Sequence, residues 1–342
     1  MSKAHVVVIT GASAGIARAT AREFASRGAK IGLLARGEAG LEGVKREVEA
    51  AGGTALTIVT DVADYDQVES AAAAVEKEFG PIDVWVNVAF TSVFAPFTDI
   101  HPDEFKRVTE VSYLGFVYGT HVALTRMKSR GRGTIVQVGS ALGSRSIPLQ
   151  SAYCGAKHAI NGFTESIRTE LLHDKSNVHI TVVQMPAVNT PQFSWVLSRL
   201  PNHPQPVPPI YQPEVAARGV VFAADHPERK QYWVGFSTAK AVVGNKFVAP
   251  LIDRYLAKTG YGSQQTSQPV SAGRANNLWK PLDGPDGHDF GAHGIFDGES
   301  RHHAPQMWFS HHVRLVVGAA FAGVGAGAAL TAKVLRSRTP VG

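Results

Sequence analysis

The run His5-Val-Val-Val-Ile9 leads directly into Thr10-Gly-Ala-Ser-Ala-Gly-Ile-Ala17 and then into a helical stretch reaching about Arg27. This sequence of features constrains the fold more than any other in the chain. A short continuous apolar run suits a strand buried on both faces of a parallel sheet. A glycine turn between such a strand and a helix is the setting that a dinucleotide-binding loop requires. Gly11 allows the tight turn, and Gly15 lets the backbone approach a pyrophosphate at the helix N-terminus, where free N–H groups and the dipole favour anions. Thr10, Ser13 and Ile16 complete the loop. Ala17 takes the place of the third glycine of the usual pattern, a position that serves helix–strand packing and tolerates alanine.

The next strand, Lys30-Ile-Gly-Leu-Leu34, ends in Ala35-Arg36. A site that selects NAD puts an acid here for the ribose 2′-hydroxyl, whereas an arginine accommodates a 2′-phosphate. With Arg36 at this point and Ser13 as a second donor, NADP(H) is favoured and NAD(H) is the alternative. The pattern then repeats. Apolar strands at Thr54–Val59, Ile82–Val86, Thr134–Val138 and His179–Val183 alternate with helical stretches near 38–51, 65–79, 103–130 and 152–172. Such alternation predicts an α/β protein: a Rossmann-like, doubly wound parallel sheet in three layers, with ligands at the carboxyl ends of the strands. Asp61, Asn87, Ser140 and Pro186 all fall at such ends.

Tyr153 and Lys157 are spaced to share one helix face, and Ser140 sits at the end of the preceding strand. A hydroxyl, a phenol and an ammonium brought together can do acid–base work on a carbonyl or an alcohol. A nearby Lys⁺ would lower the tyrosine pKa, and the serine would polarise the same oxygen.

Taken together, these motifs resemble the short-chain dehydrogenase/reductase family in its single-core form, over about residues 1–250. The resemblance implies a glycine motif at Thr10–Ala17, an adenine contact at Asp61 with its neighbour Val62, and a strand end at Asn87–Phe90 that brings Ala89 to the cofactor. It implies that Pro186, Val188 and Thr190 hold the nicotinamide. Tyr153 would be the general acid in reduction and the base in oxidation. Lys157 would bind the nicotinamide ribose and tune Tyr153, and Ser140 would orient the substrate oxygen. Many members carry a catalytic asparagine in Val-Asn-x-x-Gly; here Val111-Ser-Tyr-Leu-Gly115 puts Ser112 in its place, retaining the backbone carbonyl of a proton relay. Phe90 and Ala187 are further departures. The family also implies a homodimer or homotetramer through the helices near 103–130 and 152–173.

On the substrate side, Phe90, Phe94, Leu142, Leu149, Phe193 and Trp195 are candidate walls of an apolar pocket. The prolines at 201, 204, 206, 208, 209 and 213 predict a stiff extended flap. The expected reaction interconverts a carbonyl and an alcohol on a small apolar substrate. A cofactor-binding regulatory protein with little turnover, or an epimerase, lyase or enoyl reductase on the same scaffold, is the alternative.

Composition excludes other classes. The net charge of +6 over 342 residues forms no basic stripe interleaved with aromatics, so no nucleic-acid partner is expected. Cys154 is the single cysteine, which suits a reducing compartment and a cytoplasmic main domain. The catalytic domain is expected over 1–258 and a partly disordered or draped linker over 259–312, where scattered histidines lack metal-ligand spacing and no metal is expected. An apolar helix is expected over 313–336. Its uncharged core, 315–332, is just long enough to be a membrane segment, although rich in glycine and alanine.

Overall fold

The structure, a computed structural model, describes residues 5–271, 273–284 and 287–311. Seven parallel strands form the central sheet: β1 (Val6–Thr10), β2 (Lys30–Ala35), β3 (Thr54–Val59), β4 (Val84–Asn87), β5 (Gly133–Ser140), β6 (Val178–Met185) and β7 (Gln231–Trp233). Their spatial order is β3-β2-β1-β4-β5-β6-β7, so the order reverses between β1 and β4. That reversal opens a crevice at the carboxyl ends of the strands, where a doubly wound sheet binds its ligands. The helices are α1 (Gly15–Ala25), α2 (Glu38–Ala50), α3 (Tyr65–Phe79), α4 (Pro102–Thr109), α5 (Gly115–Arg130), α6 (Ser151–His173), α7 (Pro213–Asp225) and α8 (Phe236–Thr259).

Two helices differ from their sequence-based outlines. The stretch near 103–130 is broken by a π turn over Glu110–Leu114, which holds Ser112. The last helix, for which the sequence alone predicts only a stretch near Ala249–Ala257, starts at Phe236 and kinks at Val248, two residues before Pro250. Proline lacks the N–H that would bond back to the preceding turn and disfavours helical backbone just before it, so the earlier half was hidden behind the break.

The core between the sheet and α3, α5 and α6 holds Val8, Leu34, Val75, Trp85, Val122 and Ile135, all fully buried. Asn87 sits among them with no exposure. Its Oδ1 accepts from Trp85 Nε1 at 2.8 Å, and its Nδ2 donates to Gln137 Oε1 at 2.9 Å and Thr120 Oγ1 at 3.2 Å. Asn87→Ala leaves the indole N–H and the Gln137 carbonyl unpaired in the core. We expect a loss of about 2–4 kcal/mol in unfolding free energy, read from denaturant titration.

Beyond Thr259 the chain does not stand apart. Residues up to Ala304 form one compact unit with the sheet. Gln265–Pro269 pairs antiparallel with Asn202–Pro204, and Ser300–Arg301 adds to Ile210–Tyr211, which in turn pairs with Ala187–Val188. Leu278, Ala292 and Phe296 are buried. The described residues between 259 and 304 are draped on the core. His293, one of the scattered histidines of this segment, bridges Glu214 and Asp297 at 2.9 Å each. A short helix, Pro305–His311, lies in a second unit. The apolar stretch 315–332 lies outside the described residues. Among the described residues no helix is long and apolar enough to cross a membrane.

Candidate active site

The loop after β1 is shaped by close approach. Gly11 has φ +69°, and a Cβ there would lie 2.8 Å from Ala89 Cα. Gly15 has φ +59° and faces the Thr190 side chain. Both conformations favour glycine. Thr10 turns its hydroxyl inward to accept from the N–H groups of Val88 and Ala89 at 3.0 and 3.2 Å, tying the end of β1 to the end of β4. The start of α1 has no side-chain cap and no acid in its first turn. N–H groups at a helix start that no side chain caps, beside glycines that admit backbone approach, fit the phosphates of a dinucleotide.

A cavity of about 360 Å³ runs from this loop across the crevice. Gly11, Ser13, Gly15, Ile16, Arg36, Asp61, Val62 and Ala89 line one end; Ser140, Tyr153, Lys157, Pro186, Val188 and Thr190 line the other. The sequence-derived cofactor residues thus converge on one cleft, with two exceptions. Asn87 and Thr10 have their side chains in buried hydrogen bonds and act on the cleft through the backbone they hold. Asp61 is paired with Arg107 of α4, a partner that no motif singles out. The Asp61 Oδ1 also accepts from Ala63 N–H at 3.0 Å.

At the far end, Lys157 is almost completely buried. Its Nζ donates to Val138 O at 2.8 Å and lies 4.5 Å from the centroid of the Phe116 ring. One carbonyl and an aromatic face compensate poorly for lost hydration, and burial pulls the lysine pKa down to about 7. Tyr153 is hydrogen-bonded to Ser140, whose Oγ also accepts from Leu142 N–H at 3.1 Å. Burial raises the Tyr153 pKa well above that of a free phenol, and the Ser140 bond offsets this only in part. The net direction is thus opposite to the lowering expected from Lys157: desolvation dominates at Tyr153. Ser112 is fully buried, and its hydroxyl accepts from Thr91 N–H at 2.9 Å and donates to Thr91 O at 2.8 Å. It pins the loop after β4, the loop that carries Phe90.

Of the candidate substrate walls, Phe90, Phe94, Leu142, Phe193 and Trp195 line the cavity. The Phe90 ring stands 5.6 Å from that of Tyr153. Leu149 does not line it; with φ +70° it turns into a buried cluster with Phe94, Phe193, Val196 and Phe296. Sequence reasoning missed Gln150, Val207, Ser237 and Ala241 as walls, together with Asn277, Pro281 and Asp283 from the extension. The periodic signal of α8 was masked by its kink, and the extension offers no periodic signal at all. Cys154 is buried, and burial raises its thiol pKa, as suits a structural residue.

Residues 5–198 match the profile of the family described as short chain dehydrogenase. The chain belongs to the short-chain dehydrogenase/reductase family. An uncharacterized oxidoreductase of Bacillus subtilis, YxnA, is 36% identical over 281 residues, which cover 81% of this chain and 78% of that protein. The 3-dehydrosphinganine reductase of Danio rerio is 39% identical over 199 residues, covering 57% of this chain and 59% of that one. Among solved structures, a metagenomic short-chain oxidoreductase in complex with NADP superposes with a TM-score of 0.57 at 28% identity, over 67% of this chain and 96% of that one. This short-chain dehydrogenase is accordingly an oxidoreductase of CH–OH groups that uses a nicotinamide cofactor.

Proposed function

We propose that this dehydrogenase is an NADP(H)-dependent enzyme that interconverts an apolar carbonyl compound and its alcohol, with Tyr153 as the proton-transferring group. The observation that carries this reading is the cleft itself: Ser140, Tyr153 and Lys157 lie at one end and Ser13 and Arg36 at the other. A nicotinamide dinucleotide bound there supplies the hydride. Everything else falls to the chain. Ser140 donates to the carbonyl oxygen and orients it against Tyr153. In reduction the phenol gives up its proton to the developing alkoxide, and in oxidation the phenolate takes one back. Burial favours the protonated phenol, which suits Tyr153 as a proton donor. Lys157 in its charged form lowers the cost of the phenolate left behind.

The walls favour an apolar substrate. Phe90, Phe94, Leu142 and Trp195 offer rings and methyl groups, and none of them carries a charge that would hold a carboxylate or phosphate. Relatives named for reduction of 3-dehydrosphinganine make a long-chain ketone a natural member of a test panel. Copies would pair through α5 and α6 as homodimers or homotetramers.

The test is NADPH oxidation across apolar ketones and aldehydes, including a long-chain 3-keto amino alcohol, by wild type and Tyr153→Phe. Turnover should fall by about 10²–10⁴-fold in the variant, the usual worth of a positioned acid, with NADPH affinity within a factor of about three. Equal rates in the two proteins would remove Tyr153 from its role. NADPH binding with no turnover on any member would favour the cofactor-binding regulatory alternative.

A further inference from the structure

Residues 277–284 and 287–294 of the extension pack against the end of the cleft lined by Ser13 and Arg36, and their proposed role rests on the dinucleotide reading of that cleft. Arg36 is engaged by them. Nη2 donates to Asn277 O at 2.6 Å, and Nη1 to Trp279 O at 3.1 Å and Leu278 O at 3.4 Å. The Gly15 N–H donates to Gly291 O at 3.2 Å, and the Ala39 N–H, in the first turn of α2, to Asp283 O at 3.0 Å. The segment is held firmly. Asp289 pairs with Arg18, which is 3% exposed, and His293 bridges Glu214 and Asp297.

Asp283 is the residue this strap delivers. Its carboxylate is packed so closely on Gly37 and Gly40 that a Cβ on either glycine would overlap it. A Cβ on Gly40 would also lie 2.6 Å from Ser13 Cβ. Asp283 is 6% exposed, and its Oδ2 is buried without a hydrogen-bond partner. A buried carboxylate oxygen with no donor from the protein is rare in folded proteins. Its neighbours are Ser13 and Arg36, the two groups that read as donors to a 2′-phosphate. A ribose hydroxyl would satisfy that oxygen. A phosphate would set two anions against each other in a poorly solvated place.

We propose that Asp283 is a specificity-determining residue: it places negative charge in the 2′-phosphate subsite, so that the strap opposes NADP(H) and narrows the preference that Ser13 and Arg36 would give alone. The chain thus carries at 283, far along the sequence, the acid that is missing from the end of β2. The two glycines leave the room it needs.

The experiment measures Kd for NADPH and NADH separately by equilibrium fluorescence, on full-length wild type, Asp283→Asn and Asp283→Ser. Thermal unfolding confirms that each variant is folded, and the smaller serine serves if the asparagine disturbs the strap. The ratio Kd(NADH)/Kd(NADPH) should rise at least about tenfold in the variants, the effect of one removed like-charge contact. An unchanged ratio, or a selective weakening of NADPH, would overturn the role of Asp283 while leaving the dinucleotide site in place. Failure of all three proteins to bind either nucleotide would instead overturn the cofactor reading, and this inference with it.

Discussion

Lys157→Met should abolish turnover, by about 10³-fold or more, and at the same time make the protein harder to unfold. The two effects come from one fact. Lys157 is 2% exposed, and its ammonium has a single carbonyl partner beside the Phe116 ring. Its pKa falls from an ordinary 10.5 to about 7. The unfolded chain therefore binds more protons than the folded one between about pH 7 and 10.5, and stability from this group rises with pH across that window. Below about pH 7 the folded protein holds the buried charge at full cost; above about 10.5 both states are neutral and the cost vanishes. A methionine fills a similar volume without the charge and leaves only the Val138 carbonyl unpaired. The gain should be about 2–4 kcal/mol below pH 7 and shrink toward zero by about pH 10.5, measured by denaturant unfolding at several pH values. A variant that is less stable at about pH 6 than wild type would contradict the account of the buried ammonium. Such a trade of stability for function is common where a site needs an uncompensated charge.

Gly11→Ala should remove dinucleotide binding and destabilise the fold together. The new Cβ would meet backbone rather than a yielding side chain, at 2.8 Å from Ala89 Cα, and the residue would have to keep φ +69°. Left-handed backbone costs a non-glycine residue roughly 1–2 kcal/mol, and separating the β1 and β4 ends would disturb the Thr10 bonds to Val88 and Ala89. We expect a loss of about 2–4 kcal/mol in stability and at least about 10²-fold in NADPH affinity. A folded variant that binds NADPH like wild type would show that the loop is not the phosphate cradle.

The parts of this protein that were legible in the sequence are those governed by local periodicity. Buried parallel strands write themselves as apolar runs, so β1 to β6 could be placed to within a few residues, and with them the strand ends where Ser140 and Pro186 fall. Tyr153 and Lys157 were legible because helix geometry fixes their common face. What was not legible depends on partners distant in the chain. Asn87 looks like a cleft residue from its place at a strand end, yet Trp85, Thr120 and Gln137 draw its side chain into the core. Leu149 reads as a pocket wall, but a left-handed backbone turns it away. The electrostatics of Tyr153 and Lys157 arise from burial, which spacing does not reveal. The strap was least legible of all: its composition reads only as a partly disordered or draped linker, and it is fixed by backbone carbonyls on Arg36 and at the start of α2 and by the Asp289 carboxylate on Arg18. Contacts of that kind leave no periodic trace.

The central claim is hydride transfer to an apolar carbonyl with Tyr153 supplying the proton, and isotope transfer tests it most directly. NADPH carrying deuterium at nicotinamide C4, on each face in turn, would be turned over with the best ketone of the panel by wild type and Tyr153→Phe. The account predicts that deuterium from one face appears on the carbinol carbon of the product, and that the variant transfers it about 10²–10⁴-fold more slowly while binding NADPH as tightly. Product without deuterium from either face, or transfer by Tyr153→Phe at the wild-type rate, would contradict it.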